Sequence, residues 1–227
     1  MRKRRPADDA RGMVGGQGRR YPDGKAMARY ERKDAVYRKA RGAGLRSRAS
    51  VKLEEIDQRH RILTRGQRVV DLGAWPGGWL QIAARRVGDE GIVIGVDLEE
   101  IEPLDLRCVR TFVGDILDPA ARVRIRDELG GPADVVLSDM APKITGVKVT
   151  DRARHMALIE AAVECATEIL RPGGKFVAKL FSGIESDAIR LLRERFETVS
   201  RFRPDSTRKG SAEIYAIAIS PRVSGED

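Results

Sequence analysis

Residues 68–79 read Arg-Val-Val-Asp-Leu-Gly-Ala-Trp-Pro-Gly-Gly-Trp, and this stretch decides the fold. A short β-branched run leads into Asp71 and a glycine-rich turn, after which residues 80–86 have the composition of a helix. Strand–glycine turn–helix units form nucleotide cradles in α/β folds, because glycine lets the backbone approach a ligand closely. The turn lacks both the Gly-x-Gly-x-x-Gly dinucleotide fingerprint and the P-loop pattern. An ordinary βα turn that is rich in glycine is the alternative interpretation.

Strand-like and helix-like segments alternate along the rest of the chain. Strands are predicted at 68–72, 91–97, 109–113, 134–139, 174–181, 198–203 and 212–219. Helices are predicted at 78–87, 119–129, 152–170 and 185–196, and helical spacing also covers about 34–60, with Ser47 or Ser50 as the N-cap. Apolar runs such as 92–96 are typical of strands that are buried on both faces of a parallel sheet. The pattern predicts a doubly wound α/β domain with a seven-stranded, mostly parallel sheet and helices on both faces.

The excess positive charge lies at the N-terminus. The 227-residue chain has a net charge of +9, and residues 1–60 hold 18 Lys and Arg against 8 Asp and Glu. A basic segment next to a near-neutral domain is typical of a protein that binds a polyanion, and a solvated arm without a partner is the alternative. We predict a basic, flexible extension at residues 1–33, one domain at 34–220 and a short tail at 221–227.

Composition also excludes several classes of protein. Cys108 and Cys165 lie in apolar runs without Cys-x-x-Cys spacing, so buried thiols in a reducing compartment are expected. Two histidines are too few for a multi-His metal centre, and no apolar run reaches the ~18 residues that a membrane span needs. We therefore expect a cytoplasmic monomer without a bound metal. The Arg-rich N-terminus keeps a mitochondrial transit peptide open, although Asp8, Asp9 and Asp23 weigh against it.

Two carboxylates follow successive predicted strands. Ligands of open α/β sheets bind outside the carboxyl ends of the strands, where Asp97 and Asp115 are placed. Asp97 could accept hydrogen bonds from both hydroxyls of a ribose, and Asp115 could accept one from an adenine amino group. An ordinary turn role is the alternative for both residues. The pair predicts an adenosine pocket without a strong phosphate clamp, which suits S-adenosylmethionine better than ATP.

Lys179 lies inside the apolar run 176–181. Lysine is seldom buried without a partner, so a functional role is favoured. An edge-strand lysine that discourages aggregation is the alternative. Glu213, by contrast, would not be singled out on its own.

Five motifs, taken in order, resemble the FtsJ-like ribosomal RNA large-subunit ribose 2′-O-methyltransferases. They are residues 44–53, 70–79, 138–142, 177–181, and 204–208 with 213–215, within a resemblance that covers about 34–219. The resemblance implies a Rossmann-like S-adenosylmethionine-dependent methyltransferase fold. It also implies 2′-O-methylation of a ribose, expected at a uridine of 23S ribosomal RNA within the large ribosomal subunit, in support of ribosome assembly.

The resemblance carries functional residues over by motif. The family's Lys-Asp-Lys-Glu catalytic tetrad falls on Lys52, Asp139, Lys179 and Glu213. Cofactor contacts fall on Gly77, Trp79, Asp97, Asp115 and Asp139. The side chains expected to neutralise RNA phosphates are those of Lys52 and of Arg46, Arg48, Lys143, Arg208 and Lys209.

Lys179 is the expected general base for the ribose hydroxyl. Partial burial and the second cation, Lys52, would favour its neutral form, and Asp139 would hold it in one orientation. The chain departs from the family pattern at Trp75, where a small residue is usual, at Ser50-Val51, where an aromatic pair is usual, and at Lys143, where Asn is frequent.

Several functional alternatives stay open. Enzymes of this type also act on transfer RNA and on cap RNA. A non-catalytic RNA-binding module would keep the fold, although an intact tetrad argues against it. A dehydrogenase is disfavoured because the dinucleotide fingerprint is missing.

Overall fold

A computed structural model describes residue 42, residues 44–207 and residues 213–222 of the chain. The predicted extension at 1–33 lies outside this range, as does all of the predicted tail after residue 222. Among the described residues, no helix has both the length and the apolar character that crossing a membrane requires.

The described residues form five helices and seven strands that alternate along most of the chain. In order, they are α1 (Ala49–His60), β1 (Arg68–Leu72), α2 (Gly78–Val87), β2 (Ile92–Asp97), β3 (Val109–Val113), α3 (Pro119–Leu129), β4 (Ala133–Ser138), α4 (Lys148–Ile169), β5 (Leu170–Leu180), α5 (Glu185–Arg195), β6 (Phe196–Phe202) and β7 (Ile214–Pro221). The strands form one sheet in the order β3-β2-β1-β4-β5-β7-β6. Neighbours from β3 to β5 pair in parallel, and β7 runs antiparallel to both β5 and β6. The predicted fold class is confirmed.

The sheet separates two apolar cores, because successive side chains of a strand point to opposite faces. Val69 of β1 packs in the core that α1 and α2 cover, whereas its neighbour Val70 packs in the core under α3, α4 and α5. Helices on both faces explain why the central strands carry apolar side chains on both sides rather than at alternate positions only.

Residues 171–174, between the predicted helix at 152–170 and the main part of the predicted strand at 174–181, do not leave the sheet. Helix α4 ends at Ile169, and β5 starts at the next residue. The pairing with β4 then passes from Ala133 opposite Leu170 to Val135 opposite Lys175, so the strand contains an irregular insertion. Strand β7, which pairs with β5 on its other side, continues to Pro221, one residue past the predicted domain boundary.

The predicted helical segment at about 34–60 is interrupted before α1: Gly42 is helical, whereas residues 44–48 are not, and residues 34–41 and 43 lie outside the described residues. The left-handed backbone of Gly44 (φ 68°) and the non-helical residues after it separate α1 from the residues that precede it. The predicted serine cap is wrong, because Arg48 is the N-cap residue and no side chain caps the helix. Ser50 lies instead in the first helical turn, fully buried against α2.

Helix α1 can lie close to α2 because α2 begins with Gly78. A methyl group on Gly78 would lie 2.1 Å from Ser47 Oγ and 2.6 Å from Ser50 Oγ, well inside van der Waals contact. The indole N–H of Trp79 also donates to the Ala49 carbonyl at 2.8 Å, which joins the same two helices. The contact matters for function because α1 carries Lys52.

We expect Gly78→Ala to lower the free energy of unfolding by about 1–3 kcal/mol, because the added methyl overpacks this contact. Urea denaturation of the full chain measures the loss. Adding Ser47→Ala and Ser50→Ala to the same variant removes both hydroxyls and should restore part of the stability. A Gly78→Ala variant as stable as the wild type would contradict this account of the interface.

Candidate active site

Four residues from separate parts of the chain meet at the carboxyl edge of the sheet as two ion pairs. Lys179, near the end of β5, places its Nζ 3.0 Å from Asp139 Oδ1 and also donates to the Asp139 carbonyl. Lys52 of α1 pairs with Glu213, which directly precedes β7. Both lysines are only 8% exposed. The structure therefore brings together the four residues that the resemblance placed in the tetrad.

The position of Lys179 in the sheet removes the edge-strand alternative. Strand β5 is hydrogen-bonded to β4 on one side and to β7 on the other, so Lys179 does not lie on an edge. A buried lysine must find a partner in the protein, because an unpaired buried charge is costly. Asp139 supplies that partner from the end of the adjacent strand.

Tyr215 connects the two ion pairs, and sequence reasoning gave it no role. Its hydroxyl donates to Asp139 Oδ1 at 2.9 Å, and Lys52 Nζ lies 5.9 Å from the centre of its ring. Burial raises the pKa of Tyr215, as do the negative charges of Asp139 and Glu213, so the hydroxyl stays protonated and donates. The sequence held only a weak signal for a role of Tyr215 in the site. Tyr215 follows Glu213 by two residues, and residues two apart in an extended chain face the same side. Its position opposite Lys179 appears only in the pairing of β5 with β7.

A cavity of about 330 Å³ lies over the carboxyl ends of β1 to β4. Asp97, Asp115 and Asp139 line it together with apolar side chains that include Leu98 and Ile116. Both oxygens of Asp97 already order the surrounding loops, accepting from the backbone N–H groups of Trp75 (2.9 Å) and Glu99 (3.0 Å). Three of the predicted cofactor residues are thus brought to one cavity, whose rim carries the 58% exposed side chain of Trp75.

Gly77 and Trp79, the other two predicted cofactor residues, are not among the lining residues of this cavity. Gly77 has a left-handed backbone (φ 101°), and a Cβ there would lie 3.3 Å from the Arg46 side chain. Trp79 is buried, with its ring centre 5.8 Å from that of Tyr215. In the structure, Gly77 lies next to Arg46 and Trp79 packs against Tyr215, outside the cavity lining.

The residues predicted to bind RNA phosphates differ in their contacts and in their exposure to solvent. The guanidinium of Arg46 donates to the backbone carbonyls of Pro76, Glu102 and Pro103, so it braces the glycine-rich turn. Arg48 donates to the Ser206 carbonyl at 3.3 Å. Lys143 is exposed beyond the end of β4. Arg208 and Lys209 lie outside the described residues.

Asp71 lies beneath the site, fully buried within β1. Neither carboxyl oxygen has a hydrogen-bond partner among the described residues. Burial raises the pKa of Asp71 well above its ordinary value, and the charges of Asp139 and Asp97 raise it further. The neutral form of this carboxyl group is therefore favoured, which limits the negative charge next to Asp97 and Asp139.

The raised pKa of Asp71 predicts a pH-dependent stability. Above pH 3.8 the unfolded chain releases a proton that the folded chain retains, so this residue makes folding less favourable as the pH rises. Asp71→Asn keeps a neutral side chain at every pH. The variant should gain stability over the wild type at pH 8, and the gain should shrink towards pH 4. Parallel stability curves from urea unfolding between these pH values would contradict a protonated Asp71.

Comparison with known proteins decides the family, because the FtsJ-like methyltransferase profile matches residues 45–220. The chain belongs to the FtsJ-like methyltransferase family. A ribosomal RNA large subunit methyltransferase E from Anaeromyxobacter dehalogenans is 49% identical over 189 residues, which cover 83% of this chain and 71% of that protein. The protein of the same name from Syntrophobacter fumaroxidans is 45% identical over 196 residues, covering 86% and 99%. The family resemblance seen in the motifs is confirmed.

A solved structure supports the fold alone. A crystal structure described as a ribosomal RNA methyltransferase from Plasmodium falciparum superposes with a TM-score of 0.67 at 24% identity, covering 78% of this chain and 98% of that one. The two chains therefore share a fold.

Proposed function

We propose that this protein uses S-adenosylmethionine to methylate a ribose 2′-hydroxyl of large-subunit ribosomal RNA within the large ribosomal subunit. The observation that carries the proposal is the position of Asp139, which pairs with the buried Lys179 and also lines the adjacent cavity. A proton acceptor thus lies beside a pocket suited to a methyl donor. Relatives named for ribosomal RNA large-subunit methylation support the substrate class. On the basis of the family resemblance, we also propose that the target is a uridine and that its methylation supports ribosome assembly.

The cavity fits the adenosine part of this cofactor. Its carboxylates Asp97 and Asp115 lie at the ends of β2 and β3, where a ribose and an adenine bind in sheets of this kind. Its apolar wall, with Leu98 and Ile116, can cover an adenine ring. When bound, the cofactor supplies a methyl group on a positively charged sulfur.

Lys179 Nζ is the proposed acceptor of the hydroxyl proton as the 2′-oxygen attacks the methyl carbon. The carboxylate and the carbonyl of Asp139 both accept from Lys179 and hold its Nζ in place. The hydroxyl of Tyr215 fixes the same carboxylate. Such alignment supplies much of the rate of a displacement reaction, because the reacting atoms start close and correctly directed.

The second ion pair positions the substrate. Lys52 and Glu213 face each other beside the Tyr215 ring, so the two charges balance and both side chains stay fixed.

Replacing Lys179 or Asp139 with alanine should reduce methyl transfer by at least about a hundredfold, the range expected for loss of a positioned base. The assay follows radiolabelled methyl groups into large subunits purified from cells that lack the gene, and ribose methylation is then mapped. Lys175→Ala is the matched control, because this lysine lies four residues earlier in β5 and donates to the Arg61 carbonyl. Near-normal activity of Lys179→Ala would remove its assignment as the base.

The same assay decides the substrate. Large subunits, free ribosomal RNA and transfer RNA are compared at equal concentration. Methylation of transfer RNA with none of either ribosomal substrate would overturn the proposed substrate while leaving the methyltransferase intact.

Cofactor binding can be followed through Trp75. Its exposed indole lines the cavity whereas Trp79 is buried, so S-adenosylhomocysteine should change Trp75 fluorescence, and Trp75→Phe should lose this signal.

The contribution of Asp97 to cofactor binding is measured separately by calorimetry. Asp97→Ala should weaken the binding of S-adenosylhomocysteine by about tenfold or more, because it removes a charged hydrogen-bond acceptor. Asp127→Ala, on the exposed side of α3, is the control. Equal affinities for Asp97→Ala and the control would contradict this cofactor site.

A further inference from the structure

A second groove, of about 620 Å³, borders the candidate active site. One wall is the connection from β4 to α4, including Pro142 and Ile144, and the other is residues 181–184 after β5. The first turns of α4 lie between these walls. Ala141 is the residue that this groove shares with the cofactor cavity, so the two lie side by side along the edge of the sheet.

The groove begins beside the proposed base. Phe181, which lines it, has its ring centre 5.3 Å from Lys179 Nζ. A 2′-hydroxyl that gives its proton to Lys179 belongs to a sugar whose base is attached at the neighbouring carbon. The base of that nucleotide must therefore lie within a few ångströms of Lys179, which is where the groove opens.

The chemistry of the groove suits a nucleobase. Phe181 is half-buried and packs against the His155 ring at a centre distance of 4.8 Å. Pro142 and Ile144 add apolar surface, and Ile144 is 74% exposed. Unpaired RNA bases are bound by aromatic and apolar side chains in this way. Lys148 also lines the groove and provides positive charge for an adjoining phosphate, whereas the guanidinium of Arg152 is paired with Asp187.

One wall of the groove is held in place before any ligand binds. The carboxylate of Asp151 accepts from the backbone N–H of Thr145 (2.7 Å), the Thr145 hydroxyl (2.7 Å) and the backbone N–H of Gly146 (3.1 Å). Burial, followed by the charge of Lys179, lowers the pKa of His155 to about 4, so its ring is neutral at physiological pH. His155 therefore supports Phe181 as an uncharged ring.

We propose that this groove binds the nucleobase of the nucleotide that is methylated, with Phe181 as the stacking surface and Ile144 at its rim. The inference rests on the proposed function, because it takes the 2′-hydroxyl to lie at Lys179. It adds a base-recognition site, separate from the cofactor cavity, to the ribose site of the tetrad.

The kinetic test compares Phe181→Ala, Ile144→Ala and Val123→Ala in the full chain. Phe181→Ala should lower kcat/KM for the RNA substrate by about 5- to 100-fold, the effect of losing one stacked base. Ile144→Ala should give a smaller loss, and Phe181→Tyr should retain activity. Val123, on α3, is another exposed apolar residue and is not among those that line the groove, so Val123→Ala should match the wild type. Affinity for S-adenosylhomocysteine should stay unchanged in all four variants.

A binding test separates the groove from catalysis. The isoleucine methyl groups are labelled for NMR, the cofactor cavity is filled with S-adenosylhomocysteine, and each of the four nucleoside 5′-monophosphates is titrated. Signals of Ile144 and Ile184, which line the groove, should shift, and that of Ile125 in the core should not. Ribose 5-phosphate, which has no base, should give much smaller shifts.

Either test can overturn the assignment. Wild-type kcat/KM in both Phe181→Ala and Ile144→Ala would overturn it, as would equal shifts with ribose 5-phosphate and with every nucleotide. Failure of the wild type to methylate any RNA would instead count against the proposed function, because the NMR titration requires no methyl transfer.

Discussion

The ion pair between Lys179 and Asp139 is the interaction on which the rest of the site depends. A buried ion pair seldom stabilises a fold by itself, because removing two charges from water costs about as much as their attraction returns. The pair is tolerated here because Asp139 also accepts from Tyr215, and because the Lys179 ammonium has both a carboxylate and a carbonyl to bind. Two strands that are adjacent in the sheet but far apart in sequence bring the partners together. Burying the pair costs free energy, and its result is a lysine side chain held in one position.

Charge balance explains the arrangement around that pair. Lys52 and Glu213 add one charge of each sign, so the tetrad is neutral as a whole. A further negative charge directly beneath it would break this balance, and the pKa of Asp71 is accordingly raised, first by burial and next by the charge of Asp139. A neutral tetrad suits the proposed reaction, in which a positively charged methyl donor would meet a negatively charged RNA chain.

The fold was predictable from the sequence because its signals are local. Runs such as 92–96 mark strands buried on both faces, and Asp97 and Asp115 reach one cavity because parallel strands end at the same edge. The wrong details depend on contacts between distant residues. The serine cap of α1 failed because Ser50 packs against Gly78, and the turn at 171–174 stayed in the sheet because β4 pairs on both sides of it.

The site was less predictable than the fold, for the same physical reason. The tetrad came only from the family resemblance, since Glu213 has no distinguishing local pattern. Tyr215 and the bracing role of Arg46 were missed, because each depends on a hydrogen bond to a residue at least 30 positions away.

The connection from β4 to α4 gives the site its shape. It begins with Asp139, which belongs to the tetrad and to the cofactor cavity, and two residues later Ala141 lines both the cavity and the groove. Because Ala141 has a small side chain, the two pockets can lie close together on either side of the connection. A methyl donor in one and a base in the other would then meet at Lys179, whose position the same connection sets through Asp139. A single irregular segment, fixed at its far end by Asp151, would thereby set the distance between the two proposed reactants.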